Sequence, residues 1–228
     1  MNEFYWVLML AANFLAIMVA FRLWGKIGLF IWMPISIIVA NIQVTKMVII
    51  FGFEATLGNI VYATSFLATD ILSECYGKKE ATKAVTIGFF SLVVMTVLMN
   101  IALLFLPSEA DFVHESMYTI FSLMPRVSLA SLIAYVISQY HDVFAFEFWK
   151  KRKPQVKYLW IRNNASTLVS QLIDTLLFTF IAFWGVYSWD VLSQIIVTTY
   201  LLKAVVALLD TPFIYLGRHW FDLKVIGD

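Results

Sequence analysis

The chain is predicted to fold as an all-α bundle of helices that crosses a membrane several times. Of its 228 residues, 61% are apolar and only 14% are charged, and the mean hydropathy is +0.83. Soluble domains carry roughly 25% charged residues. The apolar runs approach the ~20 residues that a helix needs to cross a hydrocarbon core of ~30 Å. Because they fill nearly the whole chain, we expect residues 1–228 to form one integral membrane domain.

Seven apolar segments are expected to cross the membrane, and six is the alternative. The first could be mistaken for a signal peptide, but it begins with Glu3 rather than a basic residue and no clean small-residue cleavage site follows, so we expect it to be retained. The second is the least regular, because Asn41, Gln43 and Lys46 accumulate near its end. The predicted spans are residues 4–21, 28–48, 57–74, 84–106, 117–140, 164–186 and 191–216.

The basic residues predict the orientation of these spans. With the amino terminus outside, 13 Lys and Arg residues fall in inside segments, and one, Lys46, falls outside. Segments on the inner side of a membrane carry such an excess. The 107–116 loop, with Glu109, Asp111 and Glu115, is acidic and falls outside. A seven-span chain would therefore have its amino terminus outside and its carboxyl terminus inside.

Composition and motifs argue against several other classes of function. A net charge of +1 gives no reason to expect a nucleic-acid partner. The basic, aromatic stretch 148–162 fits lipid headgroups and the interfacial aromatic belt. The sequence has no Gly-x-x-x-x-Gly-Lys-Ser/Thr, His-Glu-x-x-His or Gly-x-Ser-x-Gly motif, and Cys75 is its one cysteine. We expect no enzymatic activity, no cofactor and no metal site.

Arg126, Asp174 and Lys203 each interrupt one of three predicted spans. A charge near the bilayer centre costs at least ~2.5–3.5 kcal/mol on insertion scales, so it usually faces a partner or a wet cavity. This pattern favours a polar solute site inside the bundle. The structural alternative is that Lys203 only neutralises Asp174 or Asp210.

A polar stripe runs along the sixth predicted span. Its members are spaced at 0, 4, 7, 8 and 11 residues, which places them on one helical face. At 1.5 Å per residue the last member lies roughly 16 Å from the first, near mid-membrane. Asn41 and Lys203 are predicted at a similar depth and Arg126 somewhat further out; for Asn41 alone, hydrogen bonding between helices is the favoured interpretation. The stripe consists of Asn163, Thr167, Ser170, Gln171 and Asp174.

A short pattern occurs twice in the second half of the chain. Ser138-Gln139-x-x-Asp142 and Ser170-Gln171-x-x-Asp174 are each followed four residues later by Phe. A third aspartate, in Asp210-Thr211, echoes Asp174-Thr175. The matches indicate a weak internal repeat, and transporters often bind their solute where repeats meet.

Further acidic residues lie near the inner ends of two spans. Asp70 and Glu74 are four residues apart in the third span, and Asp142 and Glu147 fall on the same side. They could line an inner mouth, or pair with Lys78 and Lys79.

The polar residues would suit a planar heterocycle. Asp174 could accept paired N–H donors, Gln171 and Asn41 could satisfy an oxo group, and Tyr200 or Phe178 could stack on the ring. This is a chemical fit and does not identify a ligand.

Two longer stretches resemble the signatures of the queuosine precursor transporter family, a group of vitamin uptake transporter-like proteins. The first is Tyr-Ala-Thr-Ser-Phe-Leu-Ala-Thr-Asp-Ile-Leu-Ser-Glu-Cys-Tyr-Gly-Lys-Lys-Glu-Ala, at 62–81. The second is Arg-Asn-Asn-Ala-Ser-Thr at 162–167, followed by Ser-Gln-Leu-Ile-Asp-Thr at 170–175. The Asn41 segment and Lys203 through Pro212 also match, so the resemblance covers roughly residues 30–218.

The resemblance implies an importer in the bacterial inner membrane. Its substrates would be 7-cyano-7-deazaguanine, the aminomethyl base or queuine, which feed queuosine synthesis in tRNA. It also implies a fold similar to the six-helix substrate-binding subunits of energy-coupling-factor vitamin transporters. Two alternatives stay open: a capture subunit that needs an ATPase partner, and a structural membrane protein whose buried charges only join helices. A homodimer is also possible.

The candidate substrate site combines the polar residues of the spans with those of the matched signatures. Asp174 and Gln171 are expected to read the base edge, while Arg126 and Lys203 set the charge of the cavity. The full candidate set is Asn41, Gln43, Asp70, Glu74, Arg126, Asn163, Gln171, Asp174 and Lys203.

Overall fold

A computed structural model describes residues 1–44, 46–121, 125–185 and 188–227 and confirms the predicted all-α bundle. Five helices are long and apolar enough to cross a membrane: Asn2–Gln43, Lys78–Ala102, Leu129–Arg152, Val156–Phe183 and Leu192–Asp222. The elements, in chain order, are α1 (Asn2–Gln43), β1 (Met47–Ile50), β2 (Phe53–Thr56), α2 (Gly58–Cys75), α3 (Lys78–Ala102), α4 (His114–Phe121), α5 (Pro125–Arg152), a 3-10 turn (Val156–Tyr158), α6 (Leu159–Phe183) and α7 (Trp189–Asp222).

Helix α1 folds back on itself at Gly25, where φ is 51° and ψ is −129°. A straight helix of 42 residues would be about 63 Å long. Yet the Asn2 side chain donates a hydrogen bond to the Ile49 carbonyl, 2.9 Å away and only six residues beyond the helix end. Segments 2–24 and 26–43 are therefore antiparallel, and each has about the length of one span. They correspond to the first two predicted spans.

A β-hairpin replaces the end of the second predicted span. Strands β1 and β2 pair antiparallel, and the Phe51-Gly52 loop has φ of 52° and 83°. Positive φ at both central residues is the type I′ geometry that matches the twist of a two-residue hairpin. The expected helix to residue 48 is therefore wrong, because the β-branched run at 48–50 and Gly52 favour a hairpin.

The fifth predicted span, 117–140, differs most from the structure. The short helix α4 overlaps its first residues, 117–121, residues 122–124 lie outside the described residues, and α5 continues to Arg152. Beyond the predicted end, Val143 and Phe146 pack in the core with at most 1% exposure. The apolar contacts of these two residues explain why the helix continues past Asp142.

Helix α2 lies at the centre of the bundle. Nearly all of its residues are buried, and many are small, including Ala63, Ser65, Ala68 and Ser73. Small side chains allow neighbouring helices to approach closely. Because α2 is shielded by its neighbours, it can carry polar residues that a lipid-facing helix of its length would exclude.

One end of the bundle, here called the basic end, gathers the predicted inside segments. It contains the Gly25 turn, the α2–α3 connection and the carboxyl-terminal segment, since Gly227 donates to the Arg22 carbonyl at 3.0 Å. Lys26 pairs with Glu80 at 3.1 Å. The opposite end, which carries β1 and β2, is called the hairpin end. The basic residues counted in the sequence thus share one end, as predicted; which side of a membrane this end faces stays a prediction.

Candidate functional site

The carboxylate of Asp174 joins four helices in the interior of the bundle. Lys203 of α7 donates to Asp174 Oδ2 at 2.5 Å. The Tyr62 hydroxyl of α2 donates to Asp174 Oδ1 at 2.7 Å, and the Ser138 hydroxyl of α5 does so at 3.2 Å. Asp174 and Lys203 are only 4% and 3% exposed. The sequence placed both charges at one depth, and the structure brings them into direct contact.

The ion pair is stabilised by more than its own charges. Taking a carboxylate and an ammonium out of water costs several kcal/mol per ion, and additional hydrogen bonds are needed to offset that cost. Tyr62 and Ser138 provide them for Asp174. The Lys203 ammonium also lies 5.1 Å from the centre of the Tyr62 ring, within the range of a cation–π contact.

A pocket opens beside this ion pair. Its cavity volume is about 40 Å³, room for little more than water, so the walls must move apart to admit a larger ligand. Its walls come from the hairpin-end portions of the helices, with Asp174 and Lys203 among them. The lining residues are Ile37, Ala40, Asn41, Val44, Gly58, Asn59, Tyr62, Leu92, Ser131, Tyr135, Asp174, Phe178 and Lys203.

Aromatic rings form part of the pocket wall. Tyr62 and Tyr135 meet edge to face with their ring centres 6.2 Å apart. The Tyr135 hydroxyl donates to the Val85 carbonyl at 3.0 Å, which fixes that ring against α3. Phe178, one helical turn beyond Asp174, also lines the pocket. A polar carboxylate next to fixed aromatic faces can bind a flat ligand that carries N–H donors.

The pocket brings together three of the nine predicted site residues: Asn41, Asp174 and Lys203. Gln171 is fully buried one turn from Asp174, and neither of its amide atoms has a hydrogen-bond partner among the described residues. Gln43 and Arg126 do not line the pocket. Arg126 instead donates to the backbone carbonyls of Ile181 and Trp184, both at 2.6 Å.

The remaining predicted residues lie nearer the basic end. Asp70 and Asn163 are completely buried between the pocket and the basic end. Glu74 binds Arg162 at 2.9 Å, Arg218 at 3.5 Å and Lys150 at 3.7 Å. The sequence had suggested Lys78 and Lys79 as possible partners; the partners are instead basic residues of α5, α6 and α7. One carboxylate therefore joins four helices at the basic end.

The two Ser-Gln-x-x-Asp motifs pack against each other in opposite directions. Ser138 of α5 donates to Asp174 of α6 at 3.2 Å. In the other direction, the Ser170 hydroxyl of α6 donates to the Ser166 carbonyl at 2.8 Å and lies 2.9 Å from Nδ1 of His141, the residue before Asp142 on α5. Each serine thus lies beside the carboxyl-terminal half of the other motif. The pattern seen in the sequence is an antiparallel contact between neighbouring helices, with the pocket at one of its ends.

Sequence reasoning gave no role to Tyr62 or Tyr135. Tyr62 lay at the start of a quoted signature, and Tyr135 inside a predicted span. The available signal was that a buried tyrosine hydroxyl usually requires a hydrogen-bond partner. The sequence could not name the partner, because Tyr62 and Asp174 are 112 positions apart.

The sequence relatives of this chain are described as transporters. Residues 56–217 match the family described as "Putative vitamin uptake transporter". A "Probable queuosine precursor transporter" of Bacillus subtilis is 42% identical over 217 residues, 95% of each chain. The "Queuosine precursor transporter" of Escherichia coli K12 is 28% identical over 187 residues, 82% of this chain and 70% of that protein. No solved structure matches this chain significantly.

The match to the family model covers most of the helical bundle, including both signatures and the part of the Asp174 pocket that follows residue 56. The Bacillus subtilis relative extends the similarity to nearly the full length of the chain. With its long apolar helices, this chain is a multi-pass membrane protein, and it belongs to the vitamin uptake transporter family, whose members transport solutes and are not enzymes.

Proposed function

We propose that this protein imports queuosine precursors across the bacterial inner membrane and binds them in the Asp174 pocket. The names of its relatives support the substrate class. The observation that carries the proposal is the buried Asp174 carboxylate, which lies between hydrogen-bond donors and the aromatic walls of a pocket. The substrates proposed are 7-cyano-7-deazaguanine, 7-aminomethyl-7-deazaguanine and queuine.

The chemistry of the base edge fits Asp174. A deazaguanine presents a ring N–H and an exocyclic amine side by side, and a carboxylate accepts two such donors in a planar, bidentate contact. In the present structure Tyr62 and Lys203 occupy the two carboxylate oxygens. The base would compete with Lys203 for Asp174. Lys203 would then be free to turn toward the ligand or to neutralise another carboxylate.

The rest of the pocket suits a planar bicyclic ring. Phe178 and Tyr135 provide aromatic faces, and Asn41 adds an amide that can donate to an oxo group. The Asn41 amide at present donates to the Ile37 carbonyl at 3.0 Å, within its own helix. Gln171, which has no partner among the described residues, is the nearest buried amide that could turn toward a ligand.

The two ends of the bundle differ in a way that suits alternating access. The pocket is lined by hairpin-end portions of the helices, while the Glu74 cluster holds α2, α5, α6 and α7 together at the basic end. Transport would require that cluster to separate while the hairpin end closes, as repeats rearrange around a central site. If the basic end faces inward, the pocket lies toward the outer side of the membrane in this structure.

The proposal is tested by measuring equilibrium binding to the purified protein. We expect 7-cyano-7-deazaguanine to bind more tightly than guanine, and Asp174→Asn to weaken the binding at least tenfold. The matched control is Asp190→Asn, an exposed carboxylate outside the pocket, which should leave affinity unchanged. Selective binding that Asp174→Asn leaves intact would move the site away from this carboxylate.

Uptake into vesicles that contain this protein alone separates the remaining alternatives. Accumulation there supports a self-sufficient importer. Binding without any uptake would indicate a capture subunit that depends on an ATPase partner. No binding of any base by a folded protein would support a structural role for the buried charges.

A further inference from the structure

Three buried carboxyl groups lie at one level of the bundle, outside the pocket. They are Asp70 of α2, Asp142 of α5 and Asp210 of α7, each at most 1% exposed. None of them lines the pocket. Asp70 lies eight residues beyond Tyr62 along α2, about 12 Å toward the basic end. These three residues are called the carboxyl layer.

The members of the carboxyl layer share their few donors. The Thr167 hydroxyl lies 3.0 Å from Asp70 Oδ2 and 3.3 Å from Asp142 Oδ1, but its single proton can serve only one of them. Because both carboxyls reach the same hydroxyl, they lie close together. Two negative charges this close in a buried place repel each other strongly, and a proton on one carboxyl removes that repulsion. Asp210 Oδ1 accepts a hydrogen bond from the Asn163 amide at 2.7 Å.

Four acceptor atoms in this layer lack a donor among the described residues: Asp70 Oδ1, Asp142 Oδ2, Asp210 Oδ2 and Asn163 Oδ1. Asn163 is fully buried, and its other amide atom is bound to Asp210, so its free oxygen lies at the layer. Asn163 Oδ1 can only accept, and so can the three carboxyl oxygens as long as they carry no proton. A buried polar atom that is left unpaired costs about 1–3 kcal/mol, so a donor from outside the chain is expected here.

The charged groups around the layer are engaged elsewhere. On α7, Lys203 is held by Asp174. On α5 and α6, Lys150 and Arg162 bind Glu74 of α2 together with Arg218. His141, next to Asp142, has Nδ1 2.9 Å from the Ser170 hydroxyl. Three ionised carboxylates with no cation in contact would be prohibitively costly in so dry a place.

We propose that the carboxyl layer binds protons and couples transport of the substrate to their movement across the membrane. This inference rests on the proposed function. A proton fits better than a metal ion, because no group of three or more His, Cys, Asp or Glu side chains among the described residues could hold one. Each step is a simple transfer in which hydronium protonates a carboxylate and leaves water.

The coupling follows from the position of the layer between the two ends. Asp70, Asp142 and Asp210 belong to three different helices, and Thr167 and Asn163 to a fourth. Any rearrangement that opens the Glu74 cluster must also change the distances within the layer. Separated carboxyls would face water from the basic end and release their protons there, while the packed layer retains them.

The test uses proteoliposomes and radiolabelled 7-cyano-7-deazaguanine. We expect an inward proton gradient to drive accumulation and a sodium gradient to have no effect. A gradient of one pH unit can support up to tenfold accumulation for each coupled proton. Asp142→Asn and Asp210→Asn should retain binding and gradient-free exchange within about twofold, yet lose gradient-driven accumulation. Asp190→Asn is the control and should behave as the wild type does.

A second readout does not depend on the variants folding. The wild-type protein in weakly buffered detergent solution, with a pH-sensitive dye, should take up or release protons when the substrate is added. Exchange without gradient stimulation and without a dye signal would overturn the coupling and leave the proposed function intact. Accumulation driven by sodium would also overturn it. Absence of both binding and exchange would overturn the proposed function, and the coupling with it.

Discussion

Lys203 of α7 and Asp174 of α6 form an ion pair of 2.5 Å inside the bundle, with the Tyr62 hydroxyl on the other carboxylate oxygen. The pair holds two helices together and also lines the pocket. A ligand that binds Asp174 must therefore weaken an ion pair that also stabilises the fold. Variants of the pair should reveal both roles.

Removing one partner of this pair should destabilise the protein more than removing both. Lys203→Met leaves Asp174 buried without its cation. Removing one partner of a buried ion pair costs roughly 3–5 kcal/mol of stability. The double variant with Asp174→Asn should recover part of that loss, because no uncompensated charge remains. Thermal unfolding of the purified single and double variants measures the difference. Additive losses would show that the two residues do not interact in the folded protein.

Tyr62→Phe should keep the ring and remove one hydrogen bond to Asp174. A hydrogen bond to a charged group contributes about 1.5–3 kcal/mol, so we expect lower stability and substrate affinity reduced several-fold. Tyr5→Phe, an exposed tyrosine on α1, is the matched control and should change neither. Calorimetric binding and unfolding on both variants make the comparison; equal behaviour would exclude Tyr62 from the site.

Glu74→Gln should loosen the basic end. Arg162 is 0% exposed, so removal of its carboxylate partner leaves a buried cation uncompensated, at a cost of roughly 3–5 kcal/mol. Glu80→Gln breaks only the partly exposed pair with Lys26, where about 0–1 kcal/mol is expected. Unfolding temperatures of the two variants should differ clearly. A loss at Glu80 as large as that at Glu74 would contradict the central role of the Glu74 cluster.

Gly25→Ala should disturb the turn within α1. The backbone there has φ of 51°, and an added Cβ would collide with the Gly227 carbonyl oxygen. Strain of this kind costs of order 1–3 kcal/mol. Gly52→Ala also introduces a side chain at positive φ, but no atom lies within 4 Å of the new Cβ. We therefore expect the loss of thermal stability at Gly25 to be the larger of the two.

The predicted orientation can be tested in intact cells with an impermeant thiol reagent. In a Cys75→Ser background, Ala110→Cys lies in the acidic loop predicted outside and Lys151→Cys at the basic end predicted inside. Labelling should occur at Ala110→Cys in intact cells and at Lys151→Cys only after permeabilisation. The reverse pattern would invert the topology, and the pocket would then open inward.

Much of the fold could be predicted because lipid imposes a simple rule. A helix that satisfies its own backbone groups and presents apolar side chains can span the hydrocarbon, so each span appears as an apolar run. The ends of the runs were less reliable. The hairpin at 47–56 depends on local backbone preferences and the extension of α5 on the burial of Val143 and Phe146, and hydropathy reports neither.

The candidate site was predictable in part. The charges of Asp174 and Lys203 stood out against their apolar surroundings, and helical spacing put Gln171 on the same face as Asp174. The pairing of those charges, the hydroxyl of Tyr62 and the separation of Asp70 from the pocket did not follow from spacing. They depend on how helices far apart in sequence approach each other.

The sequence by itself determined the membrane class, the helical periodicity, the gathering of basic residues on one side and the presence of buried charges. These follow from local composition, because hydropathy and the 3.6-residue period act within one segment. Only the tertiary structure decided which charges meet. It places Lys203 on Asp174, surrounds Glu74 with three cations and leaves Asp70, Asp142 and Asp210 to share few donors. Those outcomes depend on the packing of four helices, α2, α5, α6 and α7, whose relative positions no single segment of the sequence determines.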